Sequence, residues 1–228
     1  MGRLSVAIVM PSRGLVNSRT VEGVMDNILD GDFTFSGWYL THDLPMPLGH
    51  ERAAEAATSG QGADLLWFVE DDVIPPSGAL YALKTVLDEG YGVAAIDYPV
   101  GAASDAWGCI VRDPAGDILW CGLGCTLIPT AVLDMLAQPW FTTDWRYVRD
   151  GDGWRAERVT VPEEQRYGQF DIHLCHRLRE RGFHIGQVSG MIARHARIES
   201  LGPEGTNVGT HRIGIRDRIE RPWPGPSA

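Results

Sequence analysis

Leu65-Leu-Trp-Phe-Val69 is an unbroken apolar run that passes directly into three carboxylates, Glu70-Asp71-Asp72. Consecutive apolar residues suit a strand covered on both faces, as inside a parallel sheet flanked by helices. Such a strand delivers the residues that follow it to the carboxyl edge of the sheet, where open α/β folds bind ligands. Extended alternation would send Glu70 and Asp72 to one side and Asp71 to the other. Three adjacent carboxylates repel one another unless a cation or hydrogen-bond donors balance them. Magnesium or manganese, able to bridge carboxylates to substrate phosphates, meets that requirement. A solvated acidic turn ahead of the next helix is the plain alternative.

The first half of the chain alternates strand and helix. Leu4 to Met10 reads as a buried strand, followed by the turn Pro11-Ser12-Arg13-Gly14. A helix follows with Val21, Val24, Met25, Ile28 and Leu29 on one face and Gly31 as its stop. Phe33 to Thr41 reads as a second strand and Gly49 to Thr58 as an alanine-rich helix. After Leu65–Val69, a helix from Ser77 turns Leu80, Leu83 and Leu87 inward and closes at Gly90. Val93 to Tyr98 is the fourth strand. This pattern predicts an α/β domain whose mainly parallel sheet is flanked by helices.

The second half is less regular. Asp113-Pro-Ala-Gly116 reads as a hairpin turn between Cys109–Arg112 and Asp117–Trp120. Cys125 to Ile128 is a strand, and Pro129 opens a helix over Thr130 to Ala137. Tyr147 to Val159, broken by Asp150-Gly-Asp-Gly153, reads as a hairpin or loop. Asp171 to Arg181 is a helix ended by Gly182, and Phe183 to Val188 a last strand. Residues 1–201 form one domain in this reading, and 202–228 a C-terminal tail rich in Gly, Pro and Arg.

Composition narrows the function classes. A hydrophobic content of 44% over 228 residues supports one folded domain and excludes a disordered chain. No apolar run reaches the ~18–20 residues of a membrane span. Leu4–Met10, ending at Pro11, is too short for a signal-peptide core. The expectation is a cytoplasmic protein without a membrane partner. Cys109, Cys121, Cys125 and Cys175 form no C-x-x-C pair and read as buried thiols rather than a zinc site. A net charge of −10 excludes a purely electrostatic nucleic-acid binder, and Lys84, the only lysine, excludes any two-lysine mechanism. The charge is uneven: 11 basic and 24 acidic side chains in residues 1–170, nine and six in residues 171–228. A basic end on an acidic body can face an anionic ligand.

Several segments together resemble the GT-A fold glycosyltransferases, including small bacteriophage and bacterial members. Glu70-Asp71-Asp72 stands where those enzymes carry their Asp-x-Asp (DXD) motif, with Glu for the first Asp. Val6-Ala-Ile-Val-Met-Pro-Ser-Arg13 resembles the first strand and nucleotide-binding loop. Gly122-Leu-Gly-Cys-Thr-Leu-Ile128, with Val132 and Pro139-Trp-Phe141, resembles the acceptor-side strand, helix and loop. Asp171-Ile-His-Leu-Cys-His-Arg-Leu-Arg-Glu-Arg-Gly-Phe183 resembles the helix of the Glu-Asp motif, with Phe170 where the Glu stands. The similarity spans about residues 4–198.

That resemblance implies a Rossmann-like GT-A sheet with an acceptor-side second half. It also implies metal-dependent, inverting transfer of a hexosyl or pentosyl unit from a nucleotide-sugar, a UDP-sugar, to an acceptor hydroxyl. Asp72 and His195 would hold Mn2+ or Mg2+, the imidazole favouring manganese. Pro11, Ser12, Arg13, Asp43, Arg52, Glu70 and Asp71 would meet the nucleotide-sugar. Asp171 would be the general base, its pKa lowered by the helix N-terminus, or else an ordinary helix cap. Gly124, Trp140 and His173 would lie on the acceptor side, and Trp107, Trp140 and Trp145 are stacking or core aromatics. The basic C-terminal segment points to a DNA acceptor, a hydroxymethylated base in phage DNA flipped from its stack. Protein or glycan acceptors are alternatives, as is a non-catalytic nucleotide-sugar binding module, which Phe170 keeps open.

Overall fold

The computed structural model describes residues 3–12, 14–29, 31–42, 44, 47–60, 62–100, 107–141, 145–150, 153–158, 170–200 and 211–216. The first half contains β1 (Ser5–Pro11), α1 (Ser18–Ile28), β2 (Thr34–Thr41), α2 (Leu48–Ser59), β3 (Leu65–Val69), β4 (Val73–Ile74), α3 (Ala79–Asp88) and β5 (Val93–Asp97). Short strands follow: β6 (Pro99–Val100), β7 (Trp107–Gly108), β8 (Val111–Arg112), β9 (Ile118–Trp120) and β10 (Cys125–Pro129). The rest comprises α4 (Thr130–Leu133), β11 (Trp145–Asp150), β12 (Gly153–Arg158), α5 (Phe170–Glu180), β13 (Ile185–Ile192), β14 (Arg194–Ser200) and β15 (His211–Arg216).

Six strands form the central sheet in the order β13-β5-β10-β3-β1-β2. β1 is parallel to β2 and β3, and β13 is parallel to β5. β10 alone runs antiparallel to both its neighbours. It is reached from β5 through short strands and a hairpin rather than a helical crossover, and a parallel strand needs such a crossover. The expected α/β sheet is therefore present, with one reversed strand.

Both faces of β3 are covered, as its composition requires. Leu66 and Phe68 join a core with Ala53, Ala54 and Ala57 of α2 and Leu174 and Leu178 of α5. Leu65, Trp67 and Val69 join a second core with Val24 of α1 and Leu80 and Leu83 of α3. The carboxyl end of β3 is thus fixed from two sides. No helix among the described residues is long and apolar enough to cross a membrane.

Two helices depart from expectation. α1 buries Thr20, Gly23, Val24 and Asn27, whereas Leu29 is 72% exposed and Met25 lies at the surface. The close approach at Gly23, where a Cβ would fall 2.7 Å from the Pro75 carbonyl oxygen, turns the helix toward its small and polar face. Asn27 gains from that rotation. Its amide donates to the carbonyls of Gly23 (2.8 Å) and Pro76 (2.9 Å), and its oxygen accepts the Leu80 N–H at 3.0 Å. Leu80 N–H is one of the free donors at the start of α3, so Asn27 caps α3 from another helix. Asn27→Ala strands those partners in a buried place. Urea denaturation should show a loss of about 2–3 kcal/mol, and a loss under about 0.5 kcal/mol would mean α3 starts without this link.

The expected helix Thr130–Ala137 is shorter, ending at Leu133, with Pro129 closing β10 rather than sitting in the first turn. The predicted hairpins are present as β8–β9 and β11–β12. Of the residues expected to form a tail, His211–Arg216 pair along β14, which in turn pairs with β4 beside the acidic triplet. The other residues beyond 200 lie outside the described ones.

Candidate functional site

β3 stops at Val69, and Glu70-Asp71-Asp72 form a turn closed by the Val73 N–H on the Glu70 carbonyl, 3.1 Å. The extended alternation expected here is replaced by the turn, yet burial sorts the side chains the same way. Asp71 is buried, while Glu70 and Asp72 keep access to solvent. β14 pairs antiparallel with β4 and sets His195 opposite Val73, and the Ala196 N–H donates to the Asp72 carbonyl at 2.7 Å. Residues far apart in the chain thereby become neighbours: His195 Nε2 lies 3.3 Å from Asp72 Oδ2.

The other ring nitrogen fixes the meaning of that contact. His195 Nδ1 lies 2.7 Å from the Pro99 carbonyl oxygen, which can only accept, so Nδ1 carries a proton. In the neutral ring Nε2 then turns a lone pair toward a carboxylate. Two acceptors at that distance call for a cation between them, a proton on the ring or a metal. Among the described residues no three His, Cys, Asp or Glu side chains converge. Asp72 and His195 supply two donors, which fits an ion that completes its shell with water and substrate phosphate.

Tyr98 organises the ground beneath this pair. Its ring meets His195 edge-on, centroids 5.6 Å apart at 86°. Its hydroxyl accepts the Gly124 N–H at 3.2 Å, and the Gly124 carbonyl accepts the Glu70 N–H at 3.3 Å. Burial first, then the Glu70 carboxylate, with Cys109 and Asp171 adding less, pushes the phenol well above its ordinary range. Carboxylates from the end of β3 and the start of α5 therefore both act on one buried hydroxyl. Asp97 steadies the same corner: Oδ1 accepts the N–H groups of Tyr98 (3.0 Å) and Ile110 (3.2 Å). Burial raises its pKa against those donors. Sequence reasoning missed Asp97, Tyr98 and Pro99; the available signal was a charged residue ending the apolar run Val93–Ile96.

Gly124, expected on the acceptor side, serves through its lack of a side chain. A Cβ there would fall 2.7 Å from both Tyr98 Cζ and Val73 Cγ2. Gly124→Ala should cost about 1–3 kcal/mol by overpacking, read by urea denaturation. A neutral result would mean that Tyr98 can shift.

Asp171 lies in the first turn of α5, one residue inside the Phe170 that opens the helix. Its Oδ1 accepts the Ile172 N–H at 2.8 Å. The expected lowering of its pKa is overturned: burial outweighs the backbone donors and pushes the carboxyl up to about 7. Trp140 and His173 are only 3% and 4% exposed. Trp140 is a member of the apolar core and not an open stacking face. His50, fully buried and without a hydrogen-bond partner on either ring nitrogen among the described residues, packs 4.2 Å from Phe170 and 5.7 Å from Phe141, between ring centroids. Burial holds its pKa down to about 3, so it is a neutral imidazole.

Pro11 and Ser12 are buried at the carboxyl end of β1. The Ser12 N–H donates to the Thr41 carbonyl at 2.9 Å, and Ser12 Oγ accepts the Gly14 N–H at 3.1 Å. The Asn17 N–H then reaches the Asp71 carbonyl at 2.9 Å, joining this loop to the triplet. Arg52 instead pairs with Glu55 at 2.8 Å on the exposed side of α2. Arg13 and Asp43 lie outside the described residues, as does the side chain of Trp145. Trp107, on β7, is half-buried. The four cysteines are free and buried. A cavity of about 410 Å³ lies along β13, lined in part by Arg112, Asp117, Arg179, His184 and Gln187, and includes none of the triplet.

No family model matches the chain, and no curated protein does. Among solved structures, A197 from STIV superposes with a TM-score of 0.54 at 16% identity, over 96% of this chain and 97% of that one. Glucosyl-3-phosphoglycerate synthase from Mycobacterium tuberculosis, in complex with phosphoglyceric acid, gives 0.52 at 17% identity, over 88% and 74%. The same synthase with Mn2+ and uridine-diphosphate-glucose gives 0.51 at 16%, over 88% and 73%. At such identities the likeness shows the fold, a GT-A-like α/β sheet.

Proposed function

We propose that this chain is a metal-dependent glycosyltransferase that moves a sugar from a UDP-sugar to an acceptor hydroxyl with inversion. The observation that carries the proposal is the meeting of Asp72 and His195, with Nδ1 of the imidazole committed to Pro99 and Nε2 facing the carboxylate. The fold neighbour solved with Mn2+ and uridine-diphosphate-glucose supports the choice of ion and donor. A divalent cation held by Asp72 and His195 would supply positive charge to a departing nucleoside diphosphate.

This chain's residues do the rest. Ser12 and Glu70 flank the turn that would receive the nucleotide, tied together through Asn17 and Asp71. Asp171, with a pKa near neutrality, is matched to taking a proton from the acceptor hydroxyl as the bond to the anomeric carbon forms. Phe170, in the place of a second carboxylate, packs on His50 and leaves Asp171 as the base.

The acceptor we propose is a hydroxymethylated base in DNA. The excess of basic over acidic side chains beyond residue 170 supports it, as does the pairing of β15 with β14 near the triplet. Release of UDP from a panel of UDP-sugars, with and without manganese, tests the reaction class. Tight UDP binding with no release from any donor would favour a binding module. Nucleoside mass spectrometry of hydroxymethylcytosine and hydroxymethyluracil DNA tests the acceptor. No sugar-shifted nucleoside with any donor refutes it and turns the search to protein or glycan hydroxyls.

A further inference from the structure

One short backbone segment, Ala137–Phe141, is gripped by opposite charges from two helices. Glu51, 6% exposed in the first turn of α2, accepts the Trp140 N–H on Oε1 (3.0 Å) and the Phe141 N–H on Oε2 (2.8 Å). Arg177 of α5 donates Nη1 to the carbonyls of Pro139 (2.6 Å) and Trp140 (3.3 Å), and Nη2 to that of Ala137. Burial raises the Glu51 pKa, while the two amides and the Arg177 charge act the other way. The cost of enclosing this carboxylate is offset by the charge-assisted bonds it accepts from the two amides.

The gripped segment ends in an aromatic cluster. Phe141 lies 6.3 Å from Phe170, 5.7 Å from His50 and 5.6 Å from Phe68, between ring centroids. The His50 ring has no hydrogen-bond partner among the described residues, so packing orients it. Phe170 is the first residue of α5 and the immediate neighbour of Asp171. Contacts therefore run from Glu51 and Arg177 through Phe141 to Phe170 and the first turn of α5.

We propose that Glu51 and Arg177 are positioning residues that fix Asp171, by clamping the Ala137–Phe141 backbone between α2 and α5. This rests on the reading of Asp171 as the base. Released from the clamp, Phe141 no longer covers Phe170, and water gains the start of α5. The Asp171 charge acts on Tyr98 and on Cys121; burial keeps the Tyr98 phenol protonated, and the Cys121 thiol is held protonated by its hydrogen bond with Cys175 first and by burial second. Neither adds a competing charge.

The test uses Glu51→Gln and Arg177→Met in the full chain, without acceptor. Carbon-13 carboxyl shifts of aspartate-labelled protein follow Asp171, assigned by its loss in Asp171→Asn; amide hydrogen exchange follows Ile172–Cys175. In both variants the Asp171 midpoint should fall from about 7 by roughly one unit or more. Exchange at Ile172–Cys175 should quicken roughly tenfold. UDP affinity in manganese should stay within roughly twofold, since both side chains hold the Ala137–Phe141 backbone, whereas the β4–β14 pairing sets Asp72 beside His195. An unchanged midpoint and unchanged exchange overturn the inference. A wild-type Asp171 that titrates in the ordinary carboxylate range refutes the base reading instead. Should Glu51→Gln not fold, Arg177→Lys keeps the charge but loses the forked donor, and is expected to give the same readings in weaker form.

Discussion

Asp72→Ala should abolish the manganese-dependent part of UDP binding. In calorimetry at fixed manganese, affinity should fall roughly 100-fold or more, because removal even of a group that only supports a metal ligand costs 10–100-fold. Without manganese, wild type and variant should bind UDP alike. The backbone around Asp72 should survive the change: its carbonyl still receives the Ala196 N–H, and the Glu70–Val73 turn closes through main-chain atoms. His195→Ala should lower affinity in the same direction while leaving Pro99 without its donor. Unchanged UDP affinity of Asp72→Ala in manganese would remove the metal from the account.

Asp171→Asn should leave donor binding intact and lower turnover by roughly 10²–10⁴-fold, the usual worth of a general base. Wild-type turnover should rise with pH through about 7 as the carboxyl ionises, and the variant should lose that limb. Stability gives an independent check. A carboxyl whose folded pKa lies above its unfolded value stabilises the fold fully below the unfolded pKa, and that contribution is lost as pH rises through the folded value. The window for Asp171 runs from 3.8 to about 7. Above it the native state holds a poorly hydrated charge, so Asp171→Asn should be more stable than wild type at pH 8, by up to about 4 kcal/mol. Near-normal turnover would move the base elsewhere, with His173 the next candidate. A variant no more stable than wild type at pH 8 would mean the carboxylate is well solvated.

What could be read in the chain beforehand follows from how local the cause is. Leu65–Val69 was legible to the residue, because five buried positions in a row followed by carboxylates describe one strand and its end. The hairpin turn at Asp113–Gly116 was legible for a similar reason: Asp113 accepts the N–H groups of Ala115 and Asp117, and Gly116 takes a positive φ. The α1 face was not, since its rotation comes from Pro75 and Leu80, partners distant in sequence. β10 is as apolar as a parallel strand and betrays its direction only through what precedes it. The resemblance gave His195 and Asp72 a shared metal role; their nearness itself comes from the pairing of β14 with β4, segments distant in the chain. Asp97 and Tyr98, which steady that pairing, lie in an ordinary strand end. The Asp171 pKa went the other way because helix-end donors are visible in sequence and burial is not.

The most direct test of the metal-dependent reading is anomalous diffraction at the manganese edge from crystals grown with UDP and Mn2+. One strong peak is expected, held by the side chains of Asp72 and His195 beside the diphosphate. UDP seated at the Ser12–Glu70 edge without a peak there, or a peak held by other side chains, would contradict it.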